Sequence, residues 1–338
     1  MSAFATCFRK RSCRLGCLAL LLAAGMAYAQ NCLSAPDIDP SVRKALESTA
    51  LHYFDMSAHG DTAGLKQASI PMVASNFSGV ENVVKENQAA FTGAHSAVRP
   101  PFLLTAEGTQ PLARAEFLCG VFGPSGQTAQ SAVFVFPNLP PGKYAVTILD
   151  VNGGSEPRTM TFVLQQVGTD WKLAGYFARS PQAGGHDAQW YEQRARDFKA
   201  KGQNHNAWLY YREAVYLNSP VDFMTTLSSD KLYDEVQSVA PSDMPMNGNA
   251  VDLNDGGKTY RWIDIFPMAV GNDLDVVVRY SSADISNTVK TFQENMAVIK
   301  VLVTKFPELR SAFAGVVARA VDLSSRDYGS MLPMKDVK

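Results

Sequence analysis

Hydrophobic residues recur at the spacing of one helix face along the stretch that follows Pro40. The members of this stripe are Val42, Leu46, Thr49, Ala50, Tyr53 and Phe54. A break at His59-Gly60-Asp61 precedes a second helix over 62–68, and a third helix is expected over 80–91. The pattern therefore predicts a helical beginning for this part of the chain.

The character of the sequence changes to strands after Pro100-Pro101. Turn residues such as Pro140-Pro141-Gly142 and Gly168-Thr169-Asp170 separate six strand-like runs. These runs cover 102–105, 113–122, 129–136, 144–151, 158–167 and 171–177. Helices followed by consecutive strands are typical of the α+β class, and we place this domain at 38–180.

A helical segment is predicted over 186–240, after a short linker at 181–185. Two helices between 187 and 217 meet at Lys201-Gly202-Gln203, and a third over 229–239 follows them. The pattern that joins the first two is Tyr191, Ala195, Phe198, Gly202, Ala207, Tyr211 and Ala214. Small residues at 195 and 207 allow two antiparallel helices to approach closely. The sequence thus predicts a helical hairpin.

The last segment, 258–338, reads as a small ββαβ unit. A linker over 241–257 precedes strands at 260–270 and 274–280, which Gly271-Asn272 joins as a hairpin. A helix that ends at Pro307 follows, and a strand over 316–323 completes the unit. The helix carries an apolar stripe expected to pack across the sheet: Val289, Phe292, Met296, Ile299, Val303 and Phe306. The polar tail from 327 is a candidate for one more edge strand.

Composition excludes several classes of protein. The 338 residues are 46% hydrophobic and 19% charged, which is too apolar for a disordered chain. Lys and Arg number 31 against 32 Asp and Glu, so the chain lacks the basic excess that binding to nucleic acid requires.

Residues 1–29 are predicted to be a signal peptide. Four basic residues precede an apolar run over 15–27, and Ala27-Tyr28-Ala29 supplies small residues before a cleavage site near Ala29. The run is shorter than the roughly 20 residues that span a bilayer, and no later stretch is long and apolar enough to do so. We therefore expect a secreted or periplasmic protein with no membrane span in its mature form and with 27 basic against 32 acidic residues.

Cleavage would leave two of the five cysteines, Cys32 and Cys119. An even pair in an oxidising compartment is a candidate disulfide. Two separate buried thiols are the alternative, because Cys119 lies in the apolar run Phe117-Leu118-Cys119.

The order of elements in 38–180 resembles the nuclear transport factor 2-like superfamily, in which a curved sheet wraps around N-terminal helices as a cone. The helix–Gly60-Asp61–helix opening and the closing hairpin, whose last strand reads Trp171-Lys172-Leu173-Ala174-Gly175-Tyr176, carry the resemblance. An immunoglobulin-like sandwich is the alternative, suggested by the Pro140-Pro141-Gly142 strand entry. The hairpin at 187–217 resembles a single tetratricopeptide unit, which must pack on a neighbouring domain or on a partner to bury its apolar face.

Familiar catalytic motifs are absent from the sequence, and we expect no cofactor and no metal. The cone resemblance implies a cavity for a small apolar ligand, with Trp171 and Tyr176 as candidate binding residues. If the cavity is an active site, His52, Asp55 and Tyr53 are the candidate catalytic residues. His52 and Asp55 are three residues apart on a helix, so the Asp55 carboxylate could pair with the His52 ring. Two hypotheses result: an exported, non-enzymatic binding or scaffold protein, with a protein or peptide partner on the helical hairpin, or a cone-cavity hydrolase or isomerase.

Overall fold

A computed structural model describes residues 30–121, 126–246 and 248–338. The predicted signal peptide over 1–29 and most of the predicted turn at 123–126 lie outside the described residues. Within the described part, no helix has both the length and the apolar character needed to cross a membrane. The protein belongs to the α+β class, as the sequence predicts.

The described residues of the first segment form five α-helices and eight strands. The helices are α1 (Pro40–Ala58), α2 (Thr62–Gln67), α3 (Pro71–Ser75), α4 (Ser78–Glu86) and α5 (Gln88–Phe91). The strands are β1 (Gln30–Leu33), β2 (His95–Val98), β3 (Phe102–Ala106), β4 (Leu112–Cys119), β5 (Ala132–Leu139), β6 (Gly142–Asn152), β7 (Arg158–Val167) and β8 (Asp170–Arg179). The helical beginning and the six predicted strands are confirmed, with boundaries that differ by a few residues.

The strands of this segment form two sheets, whereas the sequence suggests one continuous curved sheet. The larger sheet has the order β1-β3-β6-β7-β8, and β2 pairs with the far end of β6. One face packs on the helices through Leu46, Phe54, Phe91 and Phe162. The opposite face packs on a smaller sheet that contains β4 and β5. The segment therefore has three layers: helices, larger sheet and smaller sheet.

A disulfide joins the two sheets. Cys32 on β1 of the larger sheet is bonded to Cys119 on β4 of the smaller sheet, with their Cα atoms 5.0 Å apart. The alternative of two separate thiols is therefore wrong.

The predicted helical hairpin is present in the middle of the chain. After the two-residue strands β9 (Gln182–Ala183) and β10 (His186–Asp187), it consists of α6 (Ala188–Ala200) and α7 (Asn204–Asn218). Gly202 has a φ of 73°, a left-handed conformation that glycine adopts without strain and that ends α6. A short strand, β11 (Met224–Thr226), and helix α8 (Leu227–Ser238) follow. β11 pairs with β5 and thereby completes the smaller sheet of the first segment.

The C-terminal segment is a five-stranded sheet with one long helix. Its elements are β12 (Val251–Asp255), β13 (Lys258–Val270), β14 (Asp273–Ser281), α9 (Thr288–Lys305), β15 (Gly315–Val321) and β16 (Asp327–Pro333). The strand order is β12-β13-β14-β15-β16, with β14 and β15 parallel on either side of α9. The ββαβ prediction and the additional edge strand are confirmed. The prediction of a linker over 241–257 is partly wrong, because β12 lies within it and Gly256 and Gly257 form the turn of a β12–β13 hairpin.

Helix α9 packs through the C-terminal half of the expected stripe, where Ile299, Val303 and Phe306 are buried, but not through its N-terminal half. Val289 and Phe292 are 67% and 47% exposed, whereas the polar residues Thr291 and Asn295 are buried. The Asn295 side chain accepts a hydrogen bond from the Tyr280 hydroxyl (2.8 Å) and donates one to the Ser330 hydroxyl (2.9 Å). These bonds allow an amide in the core, so the helix is rotated away from its apolar stripe at the N-terminal end.

The helical hairpin buries its apolar face against the C-terminal sheet. The six non-glycine residues of the predicted hairpin pattern are all buried in one cluster with Trp262 and Ile265 of β13. Helix α7 is enclosed on nearly every side, which is typical of a central core helix. The face of the hairpin that required a neighbour is thus covered by the same chain.

Candidate functional site

The three residues of the catalytic hypothesis do not form one site. His52 and Asp55 are exposed on α1, and the Asp55 carboxylate lies 3.3 Å from the ring of His59 rather than against His52. Tyr53 is buried, and its hydroxyl donates to the backbone oxygen of Trp171 at 2.8 Å. Burial raises the pKa of Tyr53 to about 12, which keeps the phenol protonated near neutral pH.

Of the two candidate ligand-binding residues, Tyr176 is packed between α1 and the larger sheet. The ring of Phe162 lies 5.9 Å from that of Tyr53 and 5.4 Å from that of Tyr176. The Tyr176 hydroxyl donates to the Ser57 hydroxyl at 2.9 Å, and burial raises the pKa of this phenol. Trp171 is half-buried at the beginning of β8. Trp171 and Tyr176 therefore connect the larger sheet to α1 by hydrogen bonds.

A cavity of about 590 Å³ lies between the helical hairpin, α8 and the C-terminal sheet, and we call it the first cavity. Such a volume lies within the range of about 300–1,000 Å³ that is typical of small-molecule sites. Its apolar walls come from residues far apart in sequence, namely Trp208, Val215, Val221, Met224, Val236, Met246 and Ile263. Tyr216 and Tyr233, each 53% exposed, flank it.

A second cavity, of about 510 Å³, also borders α7. Its walls come from the β8–β9 connection, from α7 and from the C-terminal half of β13. The lining residues are Ser180, Gln182, Ala183, Arg212, Glu213, Tyr216, Leu217, Phe266, Pro267, Met268 and Ala269. Arg212 and Tyr216 line both cavities.

The period of α7 distributes its side chains between the cavities. Trp208, Arg212 and Val215 are spaced at i, i+4 and i+7, so they share the face that lines the first cavity. Glu213 and Leu217 are spaced at i and i+4 on the face that lines the second. Successive helix residues point about 100° apart, because 3.6 residues make one turn. Arg212 nevertheless lines both cavities, whereas the adjacent Glu213 lines the second and not the first.

Arg212 is held against the wall of the first cavity. Its guanidinium lies 4.6 Å from the centroid of the Trp208 ring, and one nitrogen donates to the backbone oxygen of Ile265 at 2.6 Å. Burial lowers the pKa of Arg212, and the charges of Asp264 and Glu213 oppose that shift. A guanidinium has five N–H donors, and this is the hydrogen bond it makes among the described residues. Donors therefore remain for an acceptor group in the cavity.

Arg179 of β8 is the other cation of the first cavity. It forms a salt bridge of 2.7 Å with Asp222, and its guanidinium lies 5.2 Å from the centroid of the Tyr216 ring. These contacts tie the first segment to the connection between α7 and β11.

Glu213 lines the second cavity and is only 8% exposed. Burial raises the pKa of its carboxyl to about 7, with the nearby charge of Arg212 opposing the shift. The carboxylate forms no hydrogen bond or salt bridge with any residue in the described part of the chain. The Glu213 oxygens are not among the side-chain atoms that are sealed from solvent without a partner, so the carboxylate is open to the second cavity.

A β-bulge shapes the wall contributed by β13. Trp262 pairs with Tyr280 and Asp264 pairs with Arg279, so Ile263 is an additional residue. The bulge reverses which side chains along β13 are buried. Before the bulge the even-numbered Tyr260 and Trp262 are buried, and after it the odd-numbered Ile265 is buried. Ile263 and Asp264 consequently turn toward the first cavity.

The N-terminal end of α7 is fixed by His205. One ring nitrogen lies 2.6 Å from the Glu308 carboxylate, and the other lies 2.9 Å from the Asp243 carboxylate. These contacts connect α7 to the segments on both sides of it, which stabilises the cavity walls.

Sequence reasoning did not identify Arg212 or Glu213. The available signal was the pair of charged residues within the aromatic run from Trp208 to Tyr216. In a helix that is hydrophobic all round, charged residues mark either a solvent-facing stripe or a special site. For metals, no group of three or more potential ligands is close enough to hold an ion within 30–121, 126–246 and 248–338.

Comparisons with known proteins find no matching family model, no matching curated protein and no matching solved structure. The resemblances to nuclear transport factor 2-like domains and to a tetratricopeptide unit therefore stay predictions.

Proposed function

We propose that this chain is a non-enzymatic binding protein whose principal ligand occupies the first cavity. The observation that carries the proposal is an apolar cavity of about 590 Å³ whose walls come from β8, α7, β11, α8 and β13. Binding sites are commonly built at the junctions of such segments.

The chemistry of the walls favours a mainly apolar molecule with one hydrogen-bond acceptor, such as a carboxylate or a carbonyl. Apolar side chains would bury the body of the ligand, and each Å² of apolar surface removed from water contributes about 25 cal/mol. The free donors of Arg212, held on Trp208, would bind the acceptor and fix the orientation of the ligand.

The binding interpretation is favoured over the cone-cavity enzyme. His52 and Asp55 are exposed on α1, and Tyr53 and Tyr176 already use their hydroxyls within the packed interior. The covered face of the hairpin favours a structural role for α6 and α7 rather than a groove for a peptide partner.

We further propose that the protein acts outside the cytoplasm, in a periplasmic or extracellular space. The disulfide between Cys32 and Cys119 supports this location, because such bonds form and persist in oxidising compartments.

The test is a binding titration with 8-anilinonaphthalene-1-sulfonate, an apolar dye with an anionic acceptor whose fluorescence rises in apolar surroundings. Val215→Trp would fill the first cavity, whereas Val270→Trp places the same side chain at the end of β13, where it lines neither cavity. We expect one dye per chain, an affinity at least tenfold weaker for Val215→Trp, and no change for Val270→Trp. Equal affinity in both variants and the wild type would show that the dye binds elsewhere and would refute the proposal.

A further inference from the structure

We propose that the second cavity is a separate site for an organic cation, namely a primary ammonium group on an apolar chain, with the Glu213 carboxylate as its partner. This inference does not depend on the ligand of the first cavity.

Glu213 lines the second cavity without a partner from the described residues. Its side chain is more than nine-tenths buried, it lines the cavity, and it is paired with no described residue. A buried carboxylate accepts hydrogen bonds on two oxygens, and leaving it unpaired costs far more than leaving a neutral group unpaired. An ammonium group has three donors and the opposite charge, so it would satisfy the carboxylate directly.

The groups next to Glu213 bind elsewhere. Arg212 and the phenol of Tyr191 are the groups that interact electrostatically with Glu213. The Arg212 guanidinium is engaged on the ring of Trp208, which lines the first cavity, and on the Ile265 oxygen. The Tyr191 hydroxyl donates to the Ala183 oxygen at 2.9 Å. Neither group donates a hydrogen bond to Glu213, so its position as an acceptor is open.

The rest of the lining of the second cavity is mainly apolar. Phe266, Pro267, Met268, Leu217 and Ala183 surround the site with apolar surface. An apolar chain attached to the ammonium group would pack there, and the ring of Phe266 favours a nearby cation. Arg212 also lines this cavity, but its guanidinium is held by Trp208 and the Ile265 oxygen, whereas Glu213 has no partner among the described residues and is the charge that a ligand would meet.

The probe is 2-phenylethylamine, and the neutral control ligand is 2-phenylethanol, which has the same carbon skeleton. Calorimetric titration of the full chain at pH 8.5, where Glu213 is ionised, is expected to show binding of the amine at least tenfold tighter than binding of the alcohol. Glu213→Gln should abolish that preference. Glu86→Gln, an exposed acid on α4, should retain it.

Proton release provides a second measurement that needs no variant. At pH 6 most Glu213 side chains carry a proton, because the pKa is about 7. Binding of the ammonium group would favour the ionised form, so close to one proton per amine should pass from Glu213 to the buffer. The amount follows from titrations in buffers that differ in ionisation enthalpy, and it should vanish at pH 8.5.

The outcomes separate the two sites. Val215→Trp should weaken dye binding and leave amine binding intact, whereas Glu213→Gln should do the reverse. Equal binding of amine and alcohol by the wild type, or no proton release at pH 6, would overturn the ammonium site while leaving the first cavity unaffected.

Discussion

Replacing Glu213 by Gln is expected to stabilise the protein above neutral pH, in contrast to most substitutions in a core. The pKa of Glu213 is raised from 4.5 to about 7 because burial penalises the ionised carboxylate. The contribution of Glu213 to stability is therefore greatest below pH 4.5, where the acid is neutral in both states. This contribution is lost as the pH rises from 4.5 through 7, because the unfolded state ionises first and the folded state must finally hold a buried charge.

The magnitude follows from the two pKa values. At 1.36 kcal/mol per pH unit, the difference between 4.5 and about 7 corresponds to about 3 kcal/mol at pH 8.5. Glutamine has nearly the same shape and stays neutral, so Glu213→Gln should be as stable as the wild type at pH 4.5. At pH 8.5 the free energy of unfolding of Glu213→Gln should exceed that of the wild type by up to that amount.

Urea unfolding of both proteins at several pH values between 4.5 and 8.5 measures this difference. Glu86→Gln serves as the control, because its carboxylate is exposed and its removal should leave the pH dependence unchanged. A difference between Glu213→Gln and the wild type that stays constant across the pH range would refute the reasoning.

Two further predictions concern the disulfide and α9. Replacing both Cys32 and Cys119 by Ala should lower the free energy of unfolding by about 4–5 kcal/mol, because the bridge closes a loop with a sequence separation of 87. Chemical reduction of the wild type should give the same loss in urea unfolding. A loss under about 1 kcal/mol would contradict this prediction. Asn295→Leu should lower the free energy of unfolding by about 2–4 kcal/mol, since it removes the acceptor of Tyr280 and the donor to Ser330. Gln293 is exposed on the same helix, so Gln293→Leu should change the free energy of unfolding by less than about 0.5 kcal/mol.

Local patterns predicted most of the elements, because hydrophobic spacing and turn residues act over short distances. The α1 stripe and the strands after Pro100-Pro101 follow directly from these patterns. The split into two sheets could not be predicted, because β5 pairs with β11, which lies some 90 residues further along the chain. Pairing over that distance leaves no periodic signal in either strand.

The errors have physical causes at particular residues. Asn295 is buried because three hydrogen bonds satisfy its amide, and this outweighs the apolar character of Val289 and Phe292. Strand β12 lies in a stretch whose polar composition is typical of a linker, and only pairing with β13 makes it a strand. The cavities arise where several distant segments meet, so neither Arg212 nor Glu213 could be assigned to a site from the sequence.

The pairing of β11 with β5 has a consequence for how the chain can be divided. β11 lies beyond α7, yet it supplies an edge of the smaller sheet, and Met224 and Thr225 also line the first cavity. A fragment ending near residue 180 would leave that edge of β5 unpaired, and exposed edges promote aggregation. A protease cut between β8 and α6 in the intact protein would produce two pieces that stay associated through this ladder. The three segments seen in the sequence are therefore not three separable modules.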